Sequence, residues 1–270
     1  MTDKDKRLKD YVLEAVNFLK QNLSDKGKIF VAFSGGKDST VIAKLMEISE
    51  LNYQLYYSFT GIDPPELVRF IRENYRECTF LHPKKSFWKD LESHIPPSSK
   101  IRWCCTSLKK EPSYKINLFH RVEGIRSEES SRRAKYKRVN HFEKLGITKY
   151  YPILEWKEWQ VWEFIGDYSL EYCKLYDEGF GRIGCVICPF NSKGSKQLHC
   201  KKRWPKFFKK FEETIEILYQ KRMKQGRIMN FPDSRGFCEA WYKDDSARWY
   251  KDENTKKPIW EEENLQAINI

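Results

Sequence analysis

An apolar run, Ile29-Phe30-Val31-Ala32-Phe33, ends on Ser34-Gly35-Gly36 and passes at once into Lys37-Asp38-Ser39-Thr40, and no other stretch of the chain narrows the fold so much. A short β-branched and aromatic run of this kind is what a strand buried on both faces of a parallel sheet requires. The glycines allow positive φ and close approach of another group. Val41, Ile42, Leu45, Met46 and Ile48 then recur at helical spacing. A strand, a glycine turn and a helix start bring free backbone N–H groups and the positive end of a helix to one point, which makes an anion site. Ser34 and Ser39 add hydroxyls to it, and Lys37 adds charge.

The turn is not a Walker A loop. That pattern needs a Ser or Thr after Gly-Lys and a glycine five residues before the second one. Here Asp38 follows Gly36-Lys37, and Val31 stands five residues before Gly36. The remaining chain alternates in the same way. A first amphipathic helix carries Leu8, Tyr11, Val12, Ala15, Val16, Leu19 and Leu23. Tyr53 to Phe59 reads as a second strand, residues 64–75 as a helix, Thr79-Phe80-Leu81 as a third strand and Leu118 to Ile125 as a later one. Such alternation predicts an α/β domain, an open parallel sheet of about five strands with helices on both faces. From about residue 190 the texture changes to a long basic helix over 204–225 and a polar, aromatic tail. The expected division is a nucleotide-binding domain over 1–190 and a mostly helical C-terminal extension over 191–270.

The formal net charge of +12 favours polyanionic partners, nucleotides and nucleic acids. Lys193, Lys196, Lys201, Lys202, Arg203, Lys206, Lys209 and Lys210 crowd one segment with Trp204, Phe207 and Phe208. Basic residues mixed with aromatics suit phosphate contact and base stacking. An amphipathic helix with its aromatics in the core and its lysines in water accounts for the same pattern. No apolar run reaches the length of a membrane span, and residues 1–6 open onto an amphipathic pattern rather than a signal peptide. No membrane partner is expected, and the expected location is cytoplasmic.

The eight cysteines then weigh toward metal or redox roles over disulfides. Cys104-Cys105 is a vicinal pair and Cys185-Val186-Ile187-Cys188 a C-x-x-C. Four thiolates from two loops suit a [4Fe–4S] cluster or a zinc ion, although adjacent cysteines fit tetrahedral zinc less naturally. Cys78, Cys173, Cys200 and Cys238 lack partner spacing and read as buried structural thiols. Cys200, beside His199 in a basic segment, is the least secure of the four.

The order S-G-G-K-D-S resembles the loop of the PP-loop ATP pyrophosphatases, and later segments extend the likeness to their phosphoadenosine phosphosulfate (PAPS) reductase-like branch. Phe59-Thr60-Gly61-Ile62-Asp63-Pro64-Pro65-Glu66 is similar to the run after that branch's second strand. Gly124-Ile125-Arg126-Ser127-Glu128-Glu129-Ser130-Ser131-Arg132-Arg133 resembles its G-I-R-x-x-E-S-x-x-R element. Pro152-Ile153-Leu154-Glu155-Trp156 and Gln160-Val161-Trp162 resemble its next stretch, with Gln160 where an aspartate is usual. The resemblance implies the adenine nucleotide alpha hydrolase-like fold and an ATP site of Ser34, Gly35, Gly36, Lys37, Asp38, Ser39, Gly124, Arg126 and Arg133. Within it Lys37, Asp38 and Ser39 are the catalytic candidates, and Asp38 is associated with Mg2+. It also implies a [4Fe–4S] cluster on Cys104, Cys105, Cys185 and Cys188. A reductase of this branch carries a nucleophilic cysteine in an E-C-G-[IL]-H run; these residues contain none, the nearest being Gly236-Phe237-Cys238-Glu239. The closest likeness is to the ATP pyrophosphatase subunits of DNA phosphorothioation systems. The implied activity cleaves ATP to AMP and pyrophosphate, activating an acceptor for sulfur incorporation. Its implied partners are DNA in preference to tRNA and a cysteine desulfurase or other sulfur donor. A sulfonucleotide reductase, a tRNA thiolation enzyme and a non-catalytic nucleotide-binding subunit are the alternatives.

Overall fold

A computed structural model describes residues 7–191 and 196–243. Lys193 and the polar tail beyond residue 243 lie outside the described residues, as does the side chain of Lys196. The described residues form two compact units that interleave in sequence. The first takes residues 7–59, 65–82 and 112–183, and the second takes 60–64, 83–111 and the described residues from 184 onward. The chain therefore passes between the units several times, where a sequence reading placed one junction near residue 190. Short loop insertions carry no compositional mark of such a crossing.

The first unit is built on one six-stranded sheet: β1 (Ile29–Ala32), β2 (Tyr53–Ser58), β3 (Thr79–Leu81), β4 (His120–Glu123), β5 (Val139–Phe142) and β6 (Ile147–Tyr150). The spatial order is β3-β2-β1-β4-β6-β5. Strands β1 to β4 and β6 run parallel, with Val31 level with Leu55 on one side and Val122 on the other. The edge strand β5 departs from the all-parallel expectation. It pairs antiparallel with β6 through the turn around Gly146, whose φ is +60°. Only four residues, 143–146, separate β5 from β6, too few for the crossover that a parallel pair demands.

The helices α1 (Leu8–Leu23), α2 (Lys37–Ser49) and α3 (Pro65–Asn74) follow the expected periodicity. The buried side of α1 is Leu8, Val12, Ala15, Val16, Leu19 and Leu23, and α2 buries Val41, Ile42, Leu45 and Met46. These side chains join Ile29, Phe30, Val31, Leu55 and Val122 in the core. In the second unit α4 (Phe87–Leu91) is capped by Ser86, and α5 (Trp103–Cys105) runs directly into a π-helical turn, Thr106–Lys110. The short α6 (Glu111–Tyr114) follows. The chain is back in the first unit from Pro112, and helix α7 (Glu158–Asp167) belongs to that unit, while α8 (Lys196–Arg203), α9 (Pro205–Lys224) and α10 (Ser234–Lys243) belong to the second. Among the described residues no helix is long and apolar enough to cross a membrane.

The reversal of strand order falls between β1 and β4. In open α/β sheets the ends of the strands on either side of that reversal form a ligand crevice. The central strand β4 also buries a charge, Arg121. Its guanidinium donates to the carbonyls of Leu118, Ser113 and Ile116 and lies 4.4 Å from the Phe30 ring centroid. Replacing it with Met removes the donors to three carbonyls at once, and hydrogen bonds to a charged group are each worth about 1.5–3 kcal/mol. Relief from burying the guanidinium offsets part of that sum, so Arg121→Met is expected to lose about 3 kcal/mol of stability. A shift in the urea midpoint of less than a few tenths of a molar would show that these bonds contribute little.

Candidate active site

The loop after β1 adopts the anion-binding form. Gly35 has φ +69°, and an added Cβ would stand 2.7 Å from Leu67 and 2.8 Å from Ile71, so both conformation and space demand glycine. Gly36 is the N-cap of α2 in extended conformation. The Ser39 hydroxyl donates to the Gly36 carbonyl at 2.8 Å and accepts from the Ser34 amide at 3.2 Å. Ser34 Oγ lies 3.1 Å from Ser39 Oγ. These bonds close the turn and aim the first amides of α2 outward from the carboxyl end of β1.

The charges around the loop are paired with one another. Lys37 is buried, with its Nζ 3.3 Å from Glu158 and 3.6 Å from Asp38. Buried Arg126 donates from Nε to Asp38 at 2.5 Å and from Nη1 to Glu128. Its backbone amide donates to Glu129, which also accepts from Arg133. Burial holds the Arg133 guanidinium below its ordinary pKa, with Arg182 adding to the effect. The more exposed Arg132 takes no part in these ion pairs. Each oxygen of Asp38 pairs with a cation, so Asp38 can meet a magnesium ion only once Arg126 and Lys37 have released it. Gly124 serves the site by packing, because a Cβ there would meet the Asp38 carbonyl oxygen at 2.9 Å.

Glu158, Glu128, Glu129 and Tyr176 are participants that the sequence patterns did not single out. The two glutamates beside Arg126 lie inside the quoted G-I-R-x-x-E-S-x-x-R element, so their signal was present. Glu158 and Tyr176 come from distant segments, and only the fold brings them to Lys37.

In the second unit, Cys104, Cys105, Cys185 and Cys188 line one pocket with Arg102, Leu108 and Lys109. The C-x-x-C loop is held from several sides. Val186 N–H donates to the Ile62 carbonyl at 2.8 Å, the Asn191 amide donates to the Cys185 carbonyl at 3.2 Å, and Cys185 Sγ lies 3.8 Å from Thr60 Oγ1. Asp63 accepts from the Thr60 amide at 2.8 Å. A hydrogen bond from the Cys104 thiol, helped by the Arg102 guanidinium, pulls the Cys105 thiol down to about 5. Cys104 is correspondingly pushed up. Burial raises Cys185 to about 11, against the pull of Lys109. The negative field of Cys185, with Asp63 and Cys105 behind it, keeps Lys109 an ammonium.

A soft, all-sulfur donor set with two cations beside it fits an iron–sulfur cluster or zinc in chemistry. In spacing the fit is incomplete. Among the described residues no three His, Cys, Asp or Glu side chains stand close enough together to hold a metal ion. The other four cysteines are buried and free of disulfides. Burial pushes Cys78 and Cys238 up to about 12 and raises Cys173. Cys200 is buried and accepts from Asn191 at 3.8 Å. On α9, Phe208 and Phe211 turn into the core with Trp204, while Lys202, Arg203, Lys206, Lys209 and Lys210 stay exposed. Phe207 stays half-buried beside these cations.

A family model described as the phosphoadenosine phosphosulfate reductase domain matches residues 28–191, well over half of the chain. An uncharacterized protein of Methanocaldococcus jannaschii is 28% identical over 255 residues, 89% of this chain, and this chain spans about half (50%) of that relative's length. Adenosine 5'-phosphosulfate reductase 2 of Bacillus subtilis is 27% identical over 202 residues, covering 69% of this chain and 84% of the relative. The crystal structure of phosphoadenylyl-sulfate reductase from Candida auris superposes with a TM-score of 0.52 at 19% identity, over 68% of this chain and 97% of that one. That likeness shows the fold: a mostly parallel six-stranded sheet of the adenine nucleotide alpha hydrolase type, followed by C-terminal helices.

Gly124→Ala is expected to displace the start of α2, costing about 1–3 kcal/mol of stability and most nucleotide binding; unchanged binding would detach Gly124 from the site. Cys105 offers a pH test on metal-free protein. Its depressed pKa leaves it a thiolate from about pH 5 upward, so iodoacetamide should label it at pH 6.5, where an ordinary cysteine is protonated. The accompanying stabilisation is full above the unfolded thiol's pKa and is lost as pH falls through about 5. Labelling that begins only above pH 8 would contradict this environment.

Proposed function

The chain belongs to the phosphoadenosine phosphosulfate reductase domain family, and from that premise we propose that it is an ATP pyrophosphatase serving a sulfur-incorporation reaction, with DNA as the favoured acceptor. The observation that carries the reading is the complete Ser34–Ser39 loop at the start of α2, placed at the strand-order reversal with Lys37, Arg126 and Arg133 around it. The amides of α2 and the two serine hydroxyls receive the β and γ phosphates. Lys37 and Arg126 exchange their carboxylate partners for phosphate oxygens, and Arg133 does the same from its pair with Glu129. Guanidinium forks suit that exchange because they meet two oxygens at once. The α phosphorus is left open to an acceptor oxygen. A new O–P bond forms as the bond to the bridging oxygen breaks, and pyrophosphate leaves with that electron pair. A sulfur nucleophile from a donor protein then displaces AMP from the activated acceptor. Positioning and charge stabilisation carry the first step.

Cys104, Cys105, Cys185 and Cys188 would hold a [4Fe–4S] cluster, or zinc in its place, with Lys109 and Arg102 offsetting the thiolate charge. Such a group would supply a soft, electron-rich site for sulfur handling. The exposed lysines and arginines of α8 and α9 are the proposed contact for the acceptor's phosphate backbone.

A second reading, a sulfonucleotide reductase, is favoured by the likeness to the Bacillus subtilis enzyme. Against it stands Cys238, the cysteine nearest the C-terminus, which is buried with its thiol raised to about 12. A thiol in that state is a poor nucleophile.

Product analysis from α-labelled ATP, with DNA or tRNA present, separates the two. AMP and pyrophosphate are expected, with the rate reduced about 10²-fold or more in Lys37→Ala. ADP and phosphate, or sulfite released from adenylyl sulfate without any ATP turnover, would overturn the pyrophosphatase reading.

A further inference from the structure

The N–H of Lys37 is the first amide of α2, the kind of donor a bound phosphate takes at a helix start. Here it has an acceptor already, the hydroxyl of Tyr176, at 2.9 Å. The same hydroxyl sits directly over the glycine turn: a Cβ added to Gly36 would meet it at 3.3 Å. The Lys37 ammonium lies 5.6 Å from the centroid of the Tyr176 ring, so both charged and neutral donors of Lys37 face this one side chain. Tyr176 ends the 3-10 turn Lys174–Tyr176, and its ring meets Trp162 edge-on at 5.1 Å. Burial raises its pKa to about 12, so it stays a neutral hydroxyl.

We infer that Tyr176 is a displaceable internal ligand of the phosphate loop, whose hydroxyl holds the Lys37 amide at rest and yields it to a phosphate oxygen when nucleotide binds. This rests on the loop being the nucleotide site. The physical case is a competition for one donor. The amide would be a costly orphan if left dry and unpaired, and the hydroxyl satisfies it. A neutral oxygen gains little from the positive end of α2, whereas an anionic phosphate oxygen gains a charge-assisted bond and the dipole interaction together. The exchange therefore favours a phosphate that can also reach the neighbouring serines and cations, and it disfavours weakly held anions. Tyr176 is a positioning residue in this scheme. It sets the affinity of the loop without touching the reacting phosphorus.

The test compares wild type with Tyr176→Phe in two measurements: thermal unfolding without ligand, and titration calorimetry with inorganic pyrophosphate. A displaceable ligand moves the two in opposite directions. The variant should unfold at the same or a slightly lower temperature, yet bind pyrophosphate about three- to tenfold more tightly, the fold-change that one ordinary hydrogen bond represents. A hydroxyl that merely props the loop would give lower stability and weaker binding, and that result overturns the inference while leaving the nucleotide site standing. If neither protein binds pyrophosphate, the nucleotide reading fails and takes this inference with it. Tyr176→Leu, which removes the hydroxyl along with the ring, must also tighten binding and covers the case of a poorly folded Phe variant.

Discussion

The approach of β4 to the first turn of α2 is the contact on which the site depends. Gly124 lets the strand end come so near Asp38 that no side chain fits between them. Two residues later Arg126 reaches back to the Asp38 carboxylate. The glycine sets the distance and the arginine fixes the orientation. With α2 held in this way, its N-terminus stands at the point where the strand order reverses, and Lys37, Tyr176 and Glu158 take their places around it. A one-residue change in the register of β4 against β1 would break each of these relations together.

The resting electrostatics are self-contained. Three cations of the first unit, Lys37, Arg126 and Arg133, are each paired with a carboxylate from Asp38, Glu128, Glu129 or Glu158. Pairs of this kind cost desolvation energy, and their net worth to stability is small or even negative when a hydrophobic alternative exists. Under the proposed function their value lies in keeping these positive groups preorganised for a polyanion. On the proposed reading a triphosphate would compete with carboxylates that are already in place, so affinity would be a difference between two well-paired states.

Much of this was legible in the residues. The apolar run at Ile29 and the glycine turn after it specified β1, the loop and α2 because a buried parallel strand and a positive-φ turn admit few other sequences. The spacing of Leu8, Val12, Ala15 and Leu19 did the same for α1. The four pocket cysteines were recognisable from their pairing, since thiols rarely cluster without a reason. What escaped was non-local. Tyr176 and Glu158 look like ordinary members of an aromatic turn and a helix start until the fold delivers them to Lys37. The antiparallel β5 was hidden because its residues, Val139 to Phe142, are half polar and lie on an edge. The basic stretch over 201–210 was ambiguous in sequence for a physical reason: a helix face that packs and a face that stacks bases use the same aromatics. Trp204 and Phe208 pack in the core, while Phe207 stays half-buried.

The central claim is that the loop holds the outer phosphates of ATP and presents the inner one for attack. A crystal structure of the protein with a non-hydrolysable ATP analogue, methylene-bridged between the α and β phosphates, tests it most directly. The account predicts the β and γ phosphates against Ser34, Gly36 and the first amides of α2, with the α phosphate facing outward and the Tyr176 hydroxyl moved off Lys37. An α phosphate seated in the loop with the γ phosphate in solvent would contradict it.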